Sequence, residues 1–236
     1  MLVLTLDIKG FVLAVAMGAA FVLLGLQFGL FFLLTMFVFL LLSAIVTGIG
    51  RRYKARLFGP GKDARGIKNV LANGTAPLIA AVIFFAAARM GLGRLEALCV
   101  MGFVASVAAI TADKFESEIG VFAETPRMIF TMKKVRRGTS GAVTVLGLAS
   151  GFLGSLLVAL MLILVVGPLH AIYHTHAALA SSAVISVLVG GFLGSIVDSM
   201  MGYFEEKGIG NKFTSNFVCG VCGMLIGMLV FLLIAH

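Results

Sequence analysis

Residues 29–50 read GLFFLLTMFVFLLLSAIVTGIG, an uncharged apolar run that stops at Arg51-Arg52-Tyr53-Lys54. An α-helix needs about 20 such residues to cross a hydrocarbon core about 30 Å thick. Runs of this kind recur along nearly the whole 236-residue chain, which is 61% hydrophobic and 12% charged, with a mean hydropathy of +1.14. Soluble domains carry about 25% charged residues, so this chain has too little polar side chain to cover a water-facing surface. That excludes a soluble enzyme, a DNA-binding domain and a secreted disulfide scaffold. A transmembrane β-barrel would show alternating segments of about ten residues, and none occur. The expected fold is all-α: a polytopic membrane protein of about seven transmembrane helices with short loops, making one integral membrane domain over residues 1–236.

The runs place spans at about 10–26, 29–49, 74–91, 95–112, 141–166, 177–201 and 215–235. Gly25-Leu26-Gln27-Phe28-Gly29 is all that separates the first two, which therefore form a tight helical hairpin or one interrupted helix. The first run has no cleavage-site pattern and reads as a retained helix rather than a signal peptide. Cys99, Cys219 and Cys222 are odd in number and lie in apolar runs, so no disulfide framework follows. Arg51 to Lys68 and Asp113 to Arg137 are rich in Lys and Arg, and one helical hairpin between them brings both segments to one side of the membrane. All of the 18 basic residues except Arg89 and Arg94 then share that side, which the positive-inside rule makes the cytoplasm. The N-terminus is expected inside the cell membrane and the C-terminus outside.

Polar residues gather at the same face. Asp113 closes the fourth span, with Glu116, Ser117 and Glu118 just beyond; Asp198 lies one turn inside the sixth; Asn69 and Asn73 precede the third, and Asn211 and Asn216 lead into the seventh. On a helical wheel Gly191, Gly194, Ser195, Asp198 and Gly202 share one face. A carboxylate there cannot face lipid cheaply, so Asp198 turns into the bundle, either to pair with a Lys or Arg or to do chemistry. The fifth span carries a matching stripe, Thr144, Gly147, Gly151, Gly154 and Ser155, and the two stripes are expected to pack together. Carboxylates and Asn suit Mg²⁺, whose shell substrate phosphates complete, and basic side chains suit polyphosphates. Two other patterns read as incidental or packing: His170-x3-His174-x-His176 on the outer loop, and Cys219-x-x-Cys222 inside a span. No Walker A loop, dinucleotide-binding glycine pattern or nucleophile elbow is present.

Several segments together resemble the membrane-embedded phytyl-phosphate kinases of tocopherol synthesis, a family that extends to archaeal and bacterial proteins and to the animal transmembrane protein 19. They are Lys68-Asn69-Val-Leu-Ala-Asn73-Gly74, Ala112-Asp113-x-x-x-Ser117-Glu118-Ile-Gly120, Pro126-Arg127-x-Ile-x-Thr131, Gly138-Thr139-x-Gly141-Ala-Val-Thr144, Gly194-Ser195-x-x-Asp198-Ser199-x-x-Gly202 and the Asn211–Asn216 stretch. Lys114 and Glu116 depart from the pattern, where the family usually has Thr and a small residue. The resemblance implies a kinase that moves the γ-phosphate of a nucleoside triphosphate, CTP by kinship, onto an isoprenoid monophosphate. It implies a site of Asn69, Asn73, Asp113, Ser117, Glu118, Arg127, Ser195, Asp198 and Asn216. Within that site Asp113 and Asp198 are expected to hold Mg²⁺, and Lys68, Arg127, Lys133 and Lys134 to neutralise phosphates. Glu118 or Asp113 would act as base if the acceptor were an alcohol, and the prenyl chain is expected between the fifth and sixth spans. The alternatives are a prenol kinase, a CTP-dependent lipid cytidylyltransferase, a transporter using Asp198, and a scaffold without chemistry. No nucleic acid is expected as a partner, and a homo-oligomer stays open.

Overall fold

Backbone amides have no water to bond within a bilayer, so each apolar run must satisfy them internally as a helix. The computed structural model describes residues 6–59, 66–164 and 178–235. It shows α1 (Ile8–Leu24), α2 (Gly29–Phe58), α3 (Ile67–Arg89), α4 (Gly93–Ile119), α5 (Val145–Ala159), α6 (Ala178–Glu205) and α7 (Lys212–Ile234). Six of these stretches are long and apolar enough to cross a membrane, and α1 is a shorter apolar helix of 17 residues. The chain is an all-α polytopic membrane protein. The 3-10 turn Leu26–Phe28 makes α1 and α2 a hairpin: Gly18 of α1 lies against Leu33 of α2.

The helices run past the spans at one end. α2 was expected to stop at 49 and continues to Phe58; α4 continues from 112 to Ile119, and α3 starts at Ile67 rather than 74. Hydropathy falls where the hydrocarbon ends, but the backbone hydrogen bonds continue through the charged residues that follow. At about 1.5 Å per residue the 30-residue α2 is about 45 Å long. Asp113, Ser117 and Glu118 therefore stand on a helix and not on a loop. The fifth span begins later than expected, at Val145, because Thr144 caps it by accepting a hydrogen bond from Gly147 N at 2.9 Å.

α4 is the buried axis, packed against α2, α3, α5, α6 and α7. On one side the rings of Phe21, Phe32, Phe84 and Phe103 interlock, with Phe32 and Phe103 stacked at 4.0 Å. On the other side small residues let backbones touch. A Cβ on Gly194 would lie 2.7 Å from Ala109 Cβ and 2.9 Å from Gly223 Cα, so α6, α7 and α4 meet at a glycine–alanine seam. The expected packing of the fifth- and sixth-span stripes holds at one point, where a Cβ on Gly191 would collide with Ser155 Oγ. Elsewhere Gly151 and Gly154 receive Glu116 and Phe115 of α4, and Gly194 faces α4 and α7. α5 meets α6 where the Ser155 hydroxyl donates to the Leu188 carbonyl at 2.9 Å. Phe115 and Glu116 of α4 occupy the space beside Gly154 and Gly151, within the region where the prenyl chain is expected.

A two-stranded hairpin was not foreseen. β1 (Arg127–Met128) pairs antiparallel with β2 (Ala142–Val143), Arg127 opposite Val143 and Met128 opposite Ala142. Two residues per strand give a period-2 pattern too short to see in a sequence. The hairpin lies at the end where α2, α4 and α6 finish and α3, α5 and α7 begin. Every described Lys and Arg except Arg89 and Arg94 belongs to this basic end. The His170, His174 and His176 motif and the charges of Lys62, Asp63 and Arg65 lie outside the described residues.

Candidate active site

The overhanging helix ends enclose a cavity of about 420 Å³. One wall is acidic. Asp113 and Glu116 stand on successive positions of one α4 face, three apart, and Asp198 enters from α6. Basic side chains line the same cavity, Lys54 from the overhang of α2 and Arg137 from the hairpin segment. The lining also includes Gly138 to Thr144 and the first turn of α5, while Phe58, Val121 and Leu148 supply apolar surface.

Lys212, the first residue of α7, closes the acidic wall. Its Nζ lies 2.6 Å from Asp198 Oδ2 and 3.5 Å from Asp113 Oδ1. Both carboxylates are largely buried, with side chains 14% exposed for Asp113 and 6% for Asp198, while the Lys212 side chain is 54% exposed. Asp198 Oδ1 is buried and makes no hydrogen bond. A buried charged oxygen without a partner is costly, so this atom is the least satisfied in the wall. The ion pair is the partnership with a basic residue that the sequence allowed for Asp198.

One turn further along α7, Asn216 joins the two asparagines of α3. Its Nδ2 donates to Asn73 Oδ1 at 3.1 Å, and Asn73 Nδ2 donates to the Asn69 carbonyl at 3.0 Å. Pro77 has no N–H to give the Asn73 carbonyl four residues before it, so the helix ladder is interrupted at this group. Asn216 Oδ1 is also buried without a partner. The three asparagines are brought together, beside the cavity rather than on its lining.

Glu116 is the residue whose place the sequence undervalued. Its Oε1 lies 2.6 Å from Ser195 Oγ, whose other acceptor is the Phe192 carbonyl at 2.8 Å. Gly151 makes room for the Glu116 side chain. Glu118 points elsewhere: Lys54 Nζ sits 2.8 Å from its Oε2, Lys114 pairs with its Oε1, and Thr47 donates to the same oxygen at 3.4 Å. It ties the overhang of α2 to α4 and is not on the cavity lining. Ser117 reaches the cavity edge, its hydroxyl donating to the Lys114 carbonyl at 3.1 Å.

Of the expected phosphate-neutralising residues, none lines the cavity. Lys68 is exposed at the start of α3, Lys133 and Lys134 are exposed on the hairpin, and Arg127 donates to the Met132 carbonyl at 2.7 Å. The basic residues that do reach it are Lys54, Arg137 and Lys212. Arg137 is aimed by α2: its Nη1 donates to Tyr53 Oη at 2.5 Å and its guanidinium lies over the Tyr53 ring. The signal for Arg137 was its place directly before the Gly138-Thr139 motif, and that for Lys212 was its place between Asn211 and Asn216.

The hairpin is fastened from below. Ser140 N donates to Glu206 Oε1 at 2.9 Å and Ser140 Oγ to Glu205 Oε2 at 2.8 Å, and Ser215 bonds the other Glu205 oxygen. Gly141 adopts φ +73, and a Cβ there would stand 2.4 Å from Tyr203 N. Only glycine fits that turn against α6. Cys99, Cys219 and Cys222 are free thiols, buried or half-buried in the helix packing.

The chain is 32% identical over 206 residues to "Uncharacterized membrane protein MJ0933" of Methanocaldococcus jannaschii, covering 86% of this chain and 77% of that protein. It is 32% identical over 99 residues to "Protein VTE6, chloroplastic" of Arabidopsis thaliana, covering 42% and 29% respectively. It is 31% identical over 132 residues to "Uncharacterized membrane protein sll0875" of Synechocystis, covering 54% and 49%. No solved structure matches. A match over residues 2–230, nearly the whole chain, makes this protein a member of the family described as "Integral membrane protein DUF92".

Proposed function

We propose that the protein is a Mg²⁺-dependent kinase that transfers the γ-phosphate of a nucleoside triphosphate, CTP by the family resemblance, to an isoprenoid monophosphate at the cytoplasmic membrane face. The observation that carries this reading is one cavity at the basic end lined by Asp113 and Asp198 together with Lys54 and Arg137. The likeness of its motifs to the phytyl-phosphate kinases, and the partial similarity to the chloroplast protein VTE6, support the same class of reaction.

Among the described residues no group of three or more His, Cys, Asp or Glu could hold a metal. Mg²⁺ asks for less: one or two carboxylates, with water and substrate phosphates completing the shell. Asp113 and Asp198 fit that demand, since both line the cavity and Asp198 Oδ1 has no other partner. Held there, Mg²⁺ would neutralise charge on the transferring phosphates. Arg137 and Lys54 would take the remaining phosphate oxygens, with Arg137 fixed by Tyr53. An oxygen of the acceptor monophosphate attacks the γ-phosphorus, and the bond from that phosphorus to the bridging oxygen of the nucleoside diphosphate breaks. Both sides of the reaction carry the same total charge, so no proton moves and no general base is required. Positioning and charge neutralisation supply most of such an acceleration. Phe58, Val121 and Leu148 offer the first isoprene unit its apolar contact.

The products test the reading. Protein in detergent with Mg²⁺, CTP and a prenyl monophosphate should give a prenyl diphosphate and CDP by mass spectrometry. A CDP-linked lipid with inorganic diphosphate would replace the kinase by a cytidylyltransferase, and a monophosphate made from the alcohol would move it to the prenol step.

A further inference from the structure

Lys212 stands where a cation would. Its Nζ is the positive charge shared by Asp113 and Asp198, and the second Asp198 oxygen is left buried with nothing to bond. The position is a poor one for a lysine on helix grounds: the first turn of a helix carries a positive partial charge that disfavours cations. The N-cap of α7 is already supplied by Asn211, whose Oδ1 accepts from Phe213 N at 3.0 Å and from Thr214 N at 3.3 Å, so Lys212 is not needed there. What holds it is the carboxylate pair. Its side chain is 54% exposed. The turn before it carries two left-handed glycines, Gly208 at φ +79 and Gly210 at φ +84.

We propose that Lys212 is a tethered stand-in for the divalent cation. It neutralises the Asp113–Asp198 pair while the cavity is empty, and yields the two carboxylates when the metal arrives with the nucleotide. Displaced by an ion of twice its charge, the ammonium stays at the rim of the same cavity, where it would meet the phosphates. The proposal rests on the metal reading given above, and it adds a direction: the protein alone binds divalent cation weakly because its own lysine competes. A compact ammonium suits this role, being a point charge on a flexible stem.

Binding of Mn²⁺ to the full-length protein in detergent, without nucleotide and at one pH, separates the possibilities by electron paramagnetic resonance. Lys212→Met and Lys212→Gln should each bind Mn²⁺ about tenfold more tightly than the unaltered protein, since a competing charge at one shared site has been removed. Lys212→Arg, which keeps the charge, should stay within about threefold of it. Adding Asp198→Asn to Lys212→Met should abolish the gain. Thermal unfolding reports which variants are folded, and damage to the fold would weaken binding, not tighten it. Equal or weaker Mn²⁺ binding in the folded Met and Gln variants would overturn the proposal while leaving the metal site standing. Absence of Mn²⁺ binding in every variant, even with nucleotide added, would overturn the metal reading and this inference with it.

Discussion

Glu116 and Glu118 are two residues apart on α4 and have opposite tasks, which makes them a sharp test at the scale of single side chains. Glu118 is buried with two lysines, so Glu118→Gln should cost about 1–3 kcal/mol of stability, the usual cost of breaking a buried charge-assisted contact. Activity per folded molecule should fall less than in Glu116→Gln, since Glu118 acts on the cavity only through its anchor on Lys54. Glu116→Gln, which changes a group on the cavity wall, should lower transfer activity with little change in the unfolding midpoint. A thermal unfolding series beside initial rates reads both. The sequence showed the acids of the site by their place at helix ends, but not which faced inward. Asp113 and Asp198 were legible because an acid bordering an apolar run has few ways to be there. Lys212 was not, because a lysine between two asparagines looks like an ordinary loop charge until α6 and α7 are placed side by side.

The helices themselves were legible from hydropathy, and their overhangs were not. Apolar runs mark where the hydrocarbon is, whereas the cavity is built from the next two turns, which carry Lys54 and Glu116, and from the hairpin segment that carries Arg137. The α4–α6–α7 seam explains how Asp198 comes to face Asp113. Gly194→Leu would drive a side chain into Ala109 and the Gly223 backbone, and overpacking of this kind costs about 1–3 kcal/mol or more. Gly48→Ala, on an exposed face of α2 with nothing within 4 Å of the added carbon, should leave stability unchanged. Denaturation in mixed micelles compares the two. The hairpin makes a separate prediction. Gly141→Ala collides with Tyr203 N, so the hairpin should lift from α6, raising the KM for nucleotide while the bundle stays folded by circular dichroism. The paired strands were invisible beforehand since each is two residues long, and the Ser140 contacts beside them reach Glu205 and Glu206, more than sixty residues away in sequence.

For the molecule as a whole, the asymmetry of charge is the main physical fact. The basic end carries nearly all the Lys and Arg, and it carries the cavity. The orientation we propose from the positive-inside rule would put both in the cytoplasm, where nucleotide is available. With the three native cysteines replaced, a single cysteine at Lys134 should react with an impermeant maleimide only in inverted vesicles, and one at Gly91 only in right-side-out cells. The all-α class was legible from composition, because a bilayer permits few architectures. The chemistry depends on a few polar residues that composition hardly registers. The central claim is that Asp113 and Asp198 serve phosphoryl transfer to a prenyl phosphate, and γ-labelled CTP with a prenyl monophosphate tests it most directly. The account predicts label in the prenyl diphosphate, reduced about a hundredfold or more in folded Asp113→Asn and Asp198→Asn proteins, the size of effect seen when one electrostatic contact to a transition state is removed. Transfer that persists undiminished in both variants, or no label in any lipid while the protein is folded and binds nucleotide, would contradict it.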